Sequence, residues 1–303
     1  MTHRSTTQPR STGHDLPGRI GIHADDFGLT AGINATIGEC IDAGCLDGAS
    51  VIVNGTAFAE ALAVCRARPG LRTALHVNLI EGRPVADPAS IPLLVRADGR
   101  LCRDFVALWR LSRGRATGAE LAVQVEREIR AQTERFVEAW GGGPFSVDSH
   151  QHTHMLPAVL RALIAVCRDF DVERVRLPCE PLWLVRRTMP LGTLLGSGLV
   201  KNRILMHLSR RARPLLEDAG LAFNELFLGI VGTGRMRAEY ARRAAAVLDD
   251  LPGDGALEIL FHPGEAGHDE LSAWSDRPSL RAYYSHSERR RERRELLQLA
   301  QRS

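Results

Sequence analysis

RIGIHADDFGLTAGIN, residues 19–34, is the stretch whose reading decides the fold. Residues 19–24 carry Ile20 and Ile22 and read as a β-strand, with two acids, Asp25 and Asp26, at its end. The segment that follows spaces Ile33, Ile37 and Ile41 four apart on one helical face and stops at Gly44, a residue suited to the left-handed position after a helix. A strand that passes through a short polar turn into an amphipathic helix is one β/α unit.

Working outward, the same unit recurs. Further strands are predicted at 49–53, 72–79, 145–148, 172–177, 226–231 and 257–261. Helices are predicted between them at 57–67, 158–170 and 237–251, together with a long one that Thr117 and Glu120 open as a capping box and that runs to about Trp140. The alternation predicts an α/β protein built on a parallel sheet. Residues 80–114 are irregular and too long for a simple connection, so they read as functional loop plus short helix. Residues 1–18 read as a disordered polar tail, and residues 19–303 as one domain with a basic, apolar insertion at about 181–216.

A chain of 303 residues, 44% hydrophobic and 25% charged, has enough apolar material for one large core. No run approaches the roughly 20 apolar residues of a membrane helix. The net charge of +3 is too small to imply a nucleic-acid partner. Cys40, Cys45, Cys65, Cys102, Cys167 and Cys179 form no CxxC pair and read as reduced, mostly buried residues. With no apolar leader at the N-terminus, the expected location is the cytoplasm. Charge is uneven, however. From 181 to 216 there are seven Lys or Arg and no acid, whereas the C-terminal run SERRRERRELLQ mixes both signs and reads as a solvated helix face.

Four polar clusters stand at the C-terminal ends of predicted strands: HADDFG, His76 in LHVNL, DSHQHTH and HPGE. In parallel β/α architectures those ends face one shared crevice, so residues far apart in sequence converge there. Adjacent carboxylates point in different directions, so of Asp25 and Asp26 one can bind a cation while the other acts as a base; an N-cap or Asx turn is the alternative. His150, His152 and His154 share one face if their segment is extended, and fewer reach one ion if it turns. Asp148 is a candidate acceptor fixing an imidazole tautomer. His76 lies between Leu75 and Val77, where an unpartnered imidazole is costly, and its shared sheet edge with Asp26 and His150 favours a ligand role. One carboxylate and two imidazoles leave positions open for water and substrate. His262 precedes Pro263 at the rim and is either a general acid or simple loop polarity.

With ADDFGLTAGIN, LHVNLIEGRP, EREIRAQTERF, VDSHQHTHMLP, VRLP and EILFHPGE in this order, residues 19–264 resemble the YdjC-like carbohydrate deacetylases, which include chito-oligosaccharide and hopanoid-associated members. The resemblance implies a distorted, TIM-like β/α barrel. It also implies a hydrolase that removes the acetyl group from an N-acetylated amino sugar, oligosaccharide or lipid-linked sugar. One divalent ion is implied, magnesium or zinc first, with cobalt or manganese as alternatives. By motif, Asp26, His76 and His150 become its ligands, Asp25 the base and His262 the acid. His23 departs from the Asn that often precedes ADDFG in the family. Two other classes stay open at this point, a non-haem iron oxygenase and a non-catalytic sugar-binding protein. The expected partner is the N-acetylated sugar, with peripheral lipid contact through residues 181–216 as a further expectation, no nucleic acid, and a homo-oligomer left open.

Overall fold

The computed structural model describes His14, residues 16–250 and residues 255–300. Seven strands carry the fold: β1 (Ile20–Phe27), β2 (Gly48–Val51), β3 (Arg72–Val77), β4 (Phe145–Ser149), β5 (Val172–Val175), β6 (Leu226–Leu228) and β7 (Leu257–Phe261). They form one sheet in the order β5-β4-β3-β2-β1-β7-β6, and every pair is parallel. The helices are α1 (Ala31–Asp42), α2 (Phe58–Arg66), α3 (Phe105–Leu111), α4 (Arg115–Trp140), α5 (Pro157–Cys167), α6 (Leu182–Thr188), α7 (Ser197–Asp218), α8 (Ala238–Asp249), α9 (His268–Trp274), α10 (Pro278–Tyr284) and α11 (Ser287–Ala300). The sheet curls into a half-barrel with helices around it, the TIM-like α/β fold that the sequence implies. No helix among the described residues is long and apolar enough to cross a membrane.

Strand alternation divides each strand between two environments. In β1, Ile20, Ile22 and Ala24 belong to the continuous apolar core, while His23 and Asp25 turn inward to meet Ser50 and Arg176. The curled sheet nearly closes between its edges. Val175 N donates to Ala222 O at 2.9 Å and Phe227 N to Cys179 O at 2.8 Å. Between them the buried Asn224 side chain accepts from Leu177 N at 2.9 Å and donates to Leu177 O at 2.7 Å and Leu226 O at 2.9 Å. A side chain therefore substitutes for part of a ladder at the seam.

The irregular stretch after β3 is tied down by one polar face of α4. Gln124 accepts from Leu93 N, Glu128 from Val85 N and Ala86 N, and Gln132 from Asn78 N, all within 2.7–2.9 Å. Their spacing of four explains why a long helix buries polar residues: they replace the backbone partners a loop lacks. Two expectations are corrected. α4 begins at Arg115 with Gly114 as its N-cap, so Thr117 lies inside the first turn and makes no capping box with Glu120. The C-terminal run is not a solvated face, because Arg289, Glu292, Leu296 and Leu299 form a buried stripe along α11. Gly44, with φ 73°, terminates α1 as expected. All six cysteines are free, and Cys102 and Cys179 are only half-buried. Most of the predicted tail, residues 1–13 and Asp15, lies outside the described residues; His14 is buried and bonds Asp47 Oδ2 through Nε2 at 2.9 Å.

Replacing Asn224 with Ala removes all three seam bonds. Buried polar groups left unpaired cost on the order of 1–3 kcal/mol each, so the variant is expected to lose about 2–4 kcal/mol of unfolding free energy. Urea titration measures this, and a change near zero would show that the seam contributes nothing.

Candidate active site

Regular strand geometry sends neighbouring side chains to opposite faces, yet Asp25 and Asp26 both reach the same pair of histidines, Asp25 Oδ2 lying 3.9 Å from His76 Nε2 and Asp26 Oδ1 3.3 Å from His150 Nδ1. The reason is a register break against β2 between Ala24 and Phe27, with Asp26 in the left-handed region at φ 71°. Aspartate tolerates that conformation better than most residues. The turn is steadied by Leu29 N donating to Asp26 O and by Thr30 capping α1 through Ile33 N.

His76, from β3, donates through Nδ1 to the ionised Asp148 Oδ1, 2.5 Å away, which leaves Nε2 facing Asp25 Oδ2 at 3.9 Å. His150 directly follows β4. Its Nδ1 lies 3.3 Å from Asp26 Oδ1, and its Nε2 lies 3.2 Å from the Tyr284 hydroxyl and 3.3 Å from Glu81 Oε1. One ligand atom from each of Asp26, His76 and His150 falls within 4.8 Å of the others, all buried. Among the described residues Asp26 Oδ1 makes no hydrogen bond, its 3.3 Å approach to His150 Nδ1 being an ion-pair contact only. A buried carboxylate oxygen left orphaned beside two imidazoles suits a divalent cation, since these donor types are those of open catalytic sites.

The electrostatics agree. Burial alone would lower His150, but Asp26 and Glu81 outweigh it and push the imidazole up to about 9. Burial would raise Asp26, but Arg289 and His150 hold it well below the ordinary carboxylate range. Asp25 shows the same balance: burial raises it, and the neighbouring Arg176 and His76 bring it below the usual value. Arg176 grips Asp25 with both terminal nitrogens, at 2.8 and 2.9 Å, and also meets Asp148 Oδ2 at 2.7 Å and Glu258 Oε1 at 2.5 Å.

A cavity of about 270 Å³ opens beside these groups, lined by Asp25, His76, His150 and His262 together with Lys201 and Tyr283. His262 Nε2 is 4.0 Å from Asp25 Oδ2, and burial pushes this imidazole down to about 4. The three histidines of HQHTH separate. Gln151 and His152 both have positive φ, 57° and 60°, so the segment turns instead of extending. His152 also lines the cavity, whereas His154 faces away, bonded to Ser149 Oγ at 2.7 Å and Arg176 O at 2.8 Å. The second buried group of metal-ligand type, His23, Asp25 and Asp148, is already bridged by Ser50 and Arg176.

Arg176, Glu81, Tyr284 and Arg289 are site residues that the sequence reading did not single out. Arg176 and Glu81 lie within VRLP and LHVNLIEGRP, so their signal was proximity to the recognised strand ends. Arg289 was concealed in a charge run, although the stripe it shares with Glu292, Leu296 and Leu299 has helical period. The insertion delivers Lys201 to the cavity, while Leu184, Leu205 and Leu216 fill the core.

Comparison with known proteins bears on the whole arrangement. Residues 19–302 match the family model described as YdjC-like protein. A carbohydrate deacetylase from Mus musculus is 31% identical over 255 residues, covering 81% of this chain and 78% of the mouse protein. A chitooligosaccharide deacetylase from Serratia marcescens is 36% identical over 139 residues, 46% of this chain and 51% of that protein. A crystal structure from Enterococcus faecalis V583, of a protein proposed to cleave cellobiose phosphate, superposes with a TM-score of 0.62 at 18% identity, covering 93% of this chain and 94% of that one. That last likeness concerns the fold alone. The match along nearly all of the domain and the identity to the mouse protein lead to one conclusion: this chain belongs to the YdjC-like protein family.

Proposed function

We propose that this protein is a divalent-metal-dependent hydrolase that removes the acetyl group from an N-acetylated amino sugar or oligosaccharide. The observation that carries the reading is Asp26 Oδ1, without a hydrogen bond among the described residues, beside His76 and His150, with a second aspartate, Asp25, lining the cavity that His76 and His150 also line. The deacetylases among its relatives support the substrate class. Asp26, His76 and His150 would hold the ion, with magnesium or zinc the first choices. When bound there, a divalent ion supplies a Lewis acid that makes water more acidic and polarises a carbonyl.

The chain's own groups do the proton work. Asp25, kept ionised by Arg176, accepts the proton of the attacking water. Arg176 also fixes its direction, because a bidentate guanidinium leaves the carboxylate little rotation. His262 rests neutral and stands next to Asp25, so it serves as acid only after receiving a proton, which it then delivers to the departing nitrogen. An iron oxygenase would need the same three ligands but neither Asp25 nor His262. Trp183, Leu191 and Val200 are exposed on the basic segment, and they favour a lipid-linked amino sugar as the second substrate form.

Three measurements check this. Acetate release is expected from N-acetylglucosamine oligomers or lipid-linked amino sugars with zinc, magnesium, cobalt or manganese supplied in turn; retained sugar binding with no acetate under any metal would indicate a non-catalytic sugar-binding protein. Asp25→Asn is expected to keep the metal and lose about 10²- to 10⁴-fold in turnover, as removal of a general base does. Near-normal kcat in the metal-loaded variant would move the base elsewhere. Finally, His150, at about 9, is protonated at pH 7 in the metal-free protein, so an ion must displace its proton. Affinity is therefore expected to rise as pH rises toward 9, about tenfold per pH unit for one proton. Calorimetry at pH 7.5 in buffers of different ionisation enthalpy should register about one proton released per ion. No release would remove His150 from the ligand set.

A further inference from the structure

Two of the three candidate ligands are held from behind by groups the hydrolytic chemistry does not use. Asp26 Oδ2 accepts from an Arg289 terminal nitrogen at 2.9 Å, with both side chains 1% exposed. The other terminal nitrogen and Nε of Arg289 have no hydrogen-bond partner among the described residues. The guanidinium instead lies over the rings of Tyr283 and Tyr284, 5.1 and 5.2 Å from their centroids. Among the described residues Asp26 is thus the carboxylate that Arg289 pairs with directly. A cation buried at this cost for one oxygen settles which oxygen stays available: Oδ2 is taken and Oδ1 is left.

The other ligand is His150. With Nδ1 toward Asp26, its Nε2 faces Glu81 Oε1 and the Tyr284 hydroxyl, and that hydroxyl donates to the same Glu81 oxygen. Glu81 is itself fixed, since Asn78 accepts from Glu81 N through Oδ1 and donates to Glu81 O through Nδ2. A carboxylate behind a ligating imidazole sets its tautomer and ring orientation. Asp148 provides this for His76 from within the barrel. For His150 and Asp26 the service comes through α10 and α11, which contribute Tyr284 and Arg289.

We infer that Arg289 and the Glu81–Tyr284 pair are positioning residues of the cation site, so that the two C-terminal helices complete it. Arg289 restricts Asp26 to coordination through one oxygen. Glu81 with Tyr284 turns Nδ1 of His150 toward the ion. This rests on the metal reading of Asp26, His76 and His150 given above. A purely structural role would lower stability in the variants without altering the affinity of the folded protein.

The test uses the full chain stripped of metal, with Glu81→Gln, Tyr284→Phe and Arg289→Met compared with Arg290→Met. Arg290 lies on the same helix, half exposed and paired with Glu265. Zinc and cobalt binding are measured by calorimetry, and the cobalt visible spectrum reports ligand geometry. Glu81→Gln and Arg289→Met are each expected to weaken binding by about 10- to 100-fold. Arg289→Met is also expected to shift the cobalt bands, because Asp26 then becomes free to bind through both oxygens. Arg290→Met should match the parent. Should Arg289→Met fail to fold, Glu81→Gln and Tyr284→Phe, which preserve volume, decide the question by the same affinity measurement. Variant affinities within roughly threefold of the parent, well below the usual loss for such partners, with superimposable cobalt spectra, would overturn the inference while leaving the metal reading intact. A parent protein that takes up neither ion would overturn both.

Discussion

Arg176 is the constraint on which the interior depends. It follows β5 and is 3% exposed, yet it pairs with Asp25 from β1, Asp148 from β4 and Glu258 from β7. Most barrel interiors are packed with branched apolar side chains. Here one guanidinium and three carboxylates occupy that space, and each group is affordable only because the others are present. Removing one member of a buried ionic cluster typically costs about 3–5 kcal/mol, because it strands the remaining charge. Strand positions and catalytic electrostatics are therefore the same interaction: the contacts that draw β1, β4 and β7 toward a common centre also keep Asp25 ionised and aimed.

This coupling explains what the sequence disclosed. The seven strands were legible because each is a short apolar run bounded by turn residues, and their polar ends fall at the same rim. That Asp26, His76 and His150 gather was legible for the same reason, since polar residues at the ends of neighbouring parallel strands share one rim. The geometry of Asp26 was not. A left-handed residue inside a strand is not announced by residue type alone, and the register break with β2 is what brings both aspartates to the same pair of histidines. The HQHTH segment shows the same limit. Alternating histidines suggest a shared face, but positive φ at Gln151 and His152 sends His154 into the structure to bind Ser149 and the Arg176 backbone.

The outer layer of the site was hidden for a different reason. Charge runs on helices usually face water, and of the arginines in SERRRERRELLQ only the helical stripe distinguishes Arg289 from Arg290 or Arg291. Glu292, in the same stripe, accepts from Met236 N and His262 N, so the helix also fixes the loop that carries His262. Polar residues of this kind are retained for backbone groups that loops leave unpaired, a need invisible until the loop path is known. The face of α4 formed by Gln124, Glu128 and Gln132 serves residues 78–93 in the same way.

Charge balance links the two layers. Asp25, Asp26, Glu81, Asp148 and Glu258 are all buried, and the arginines that pair with them inside the site are Arg176 and Arg289, with Arg72 reaching Glu258 at 3.9 Å. Asp26 and Glu81 are what raise His150, against the lowering effect of its burial. A protein stable only as a buried anion would gain nothing from this arrangement, since an isolated buried carboxylate costs several kcal/mol. One ligand atom from each of Asp26, His76 and His150 lies within 4.8 Å of the others beside these acids, a donor set that a divalent ion would suit. The buried charges that join the strands and those around this donor set therefore belong to one field.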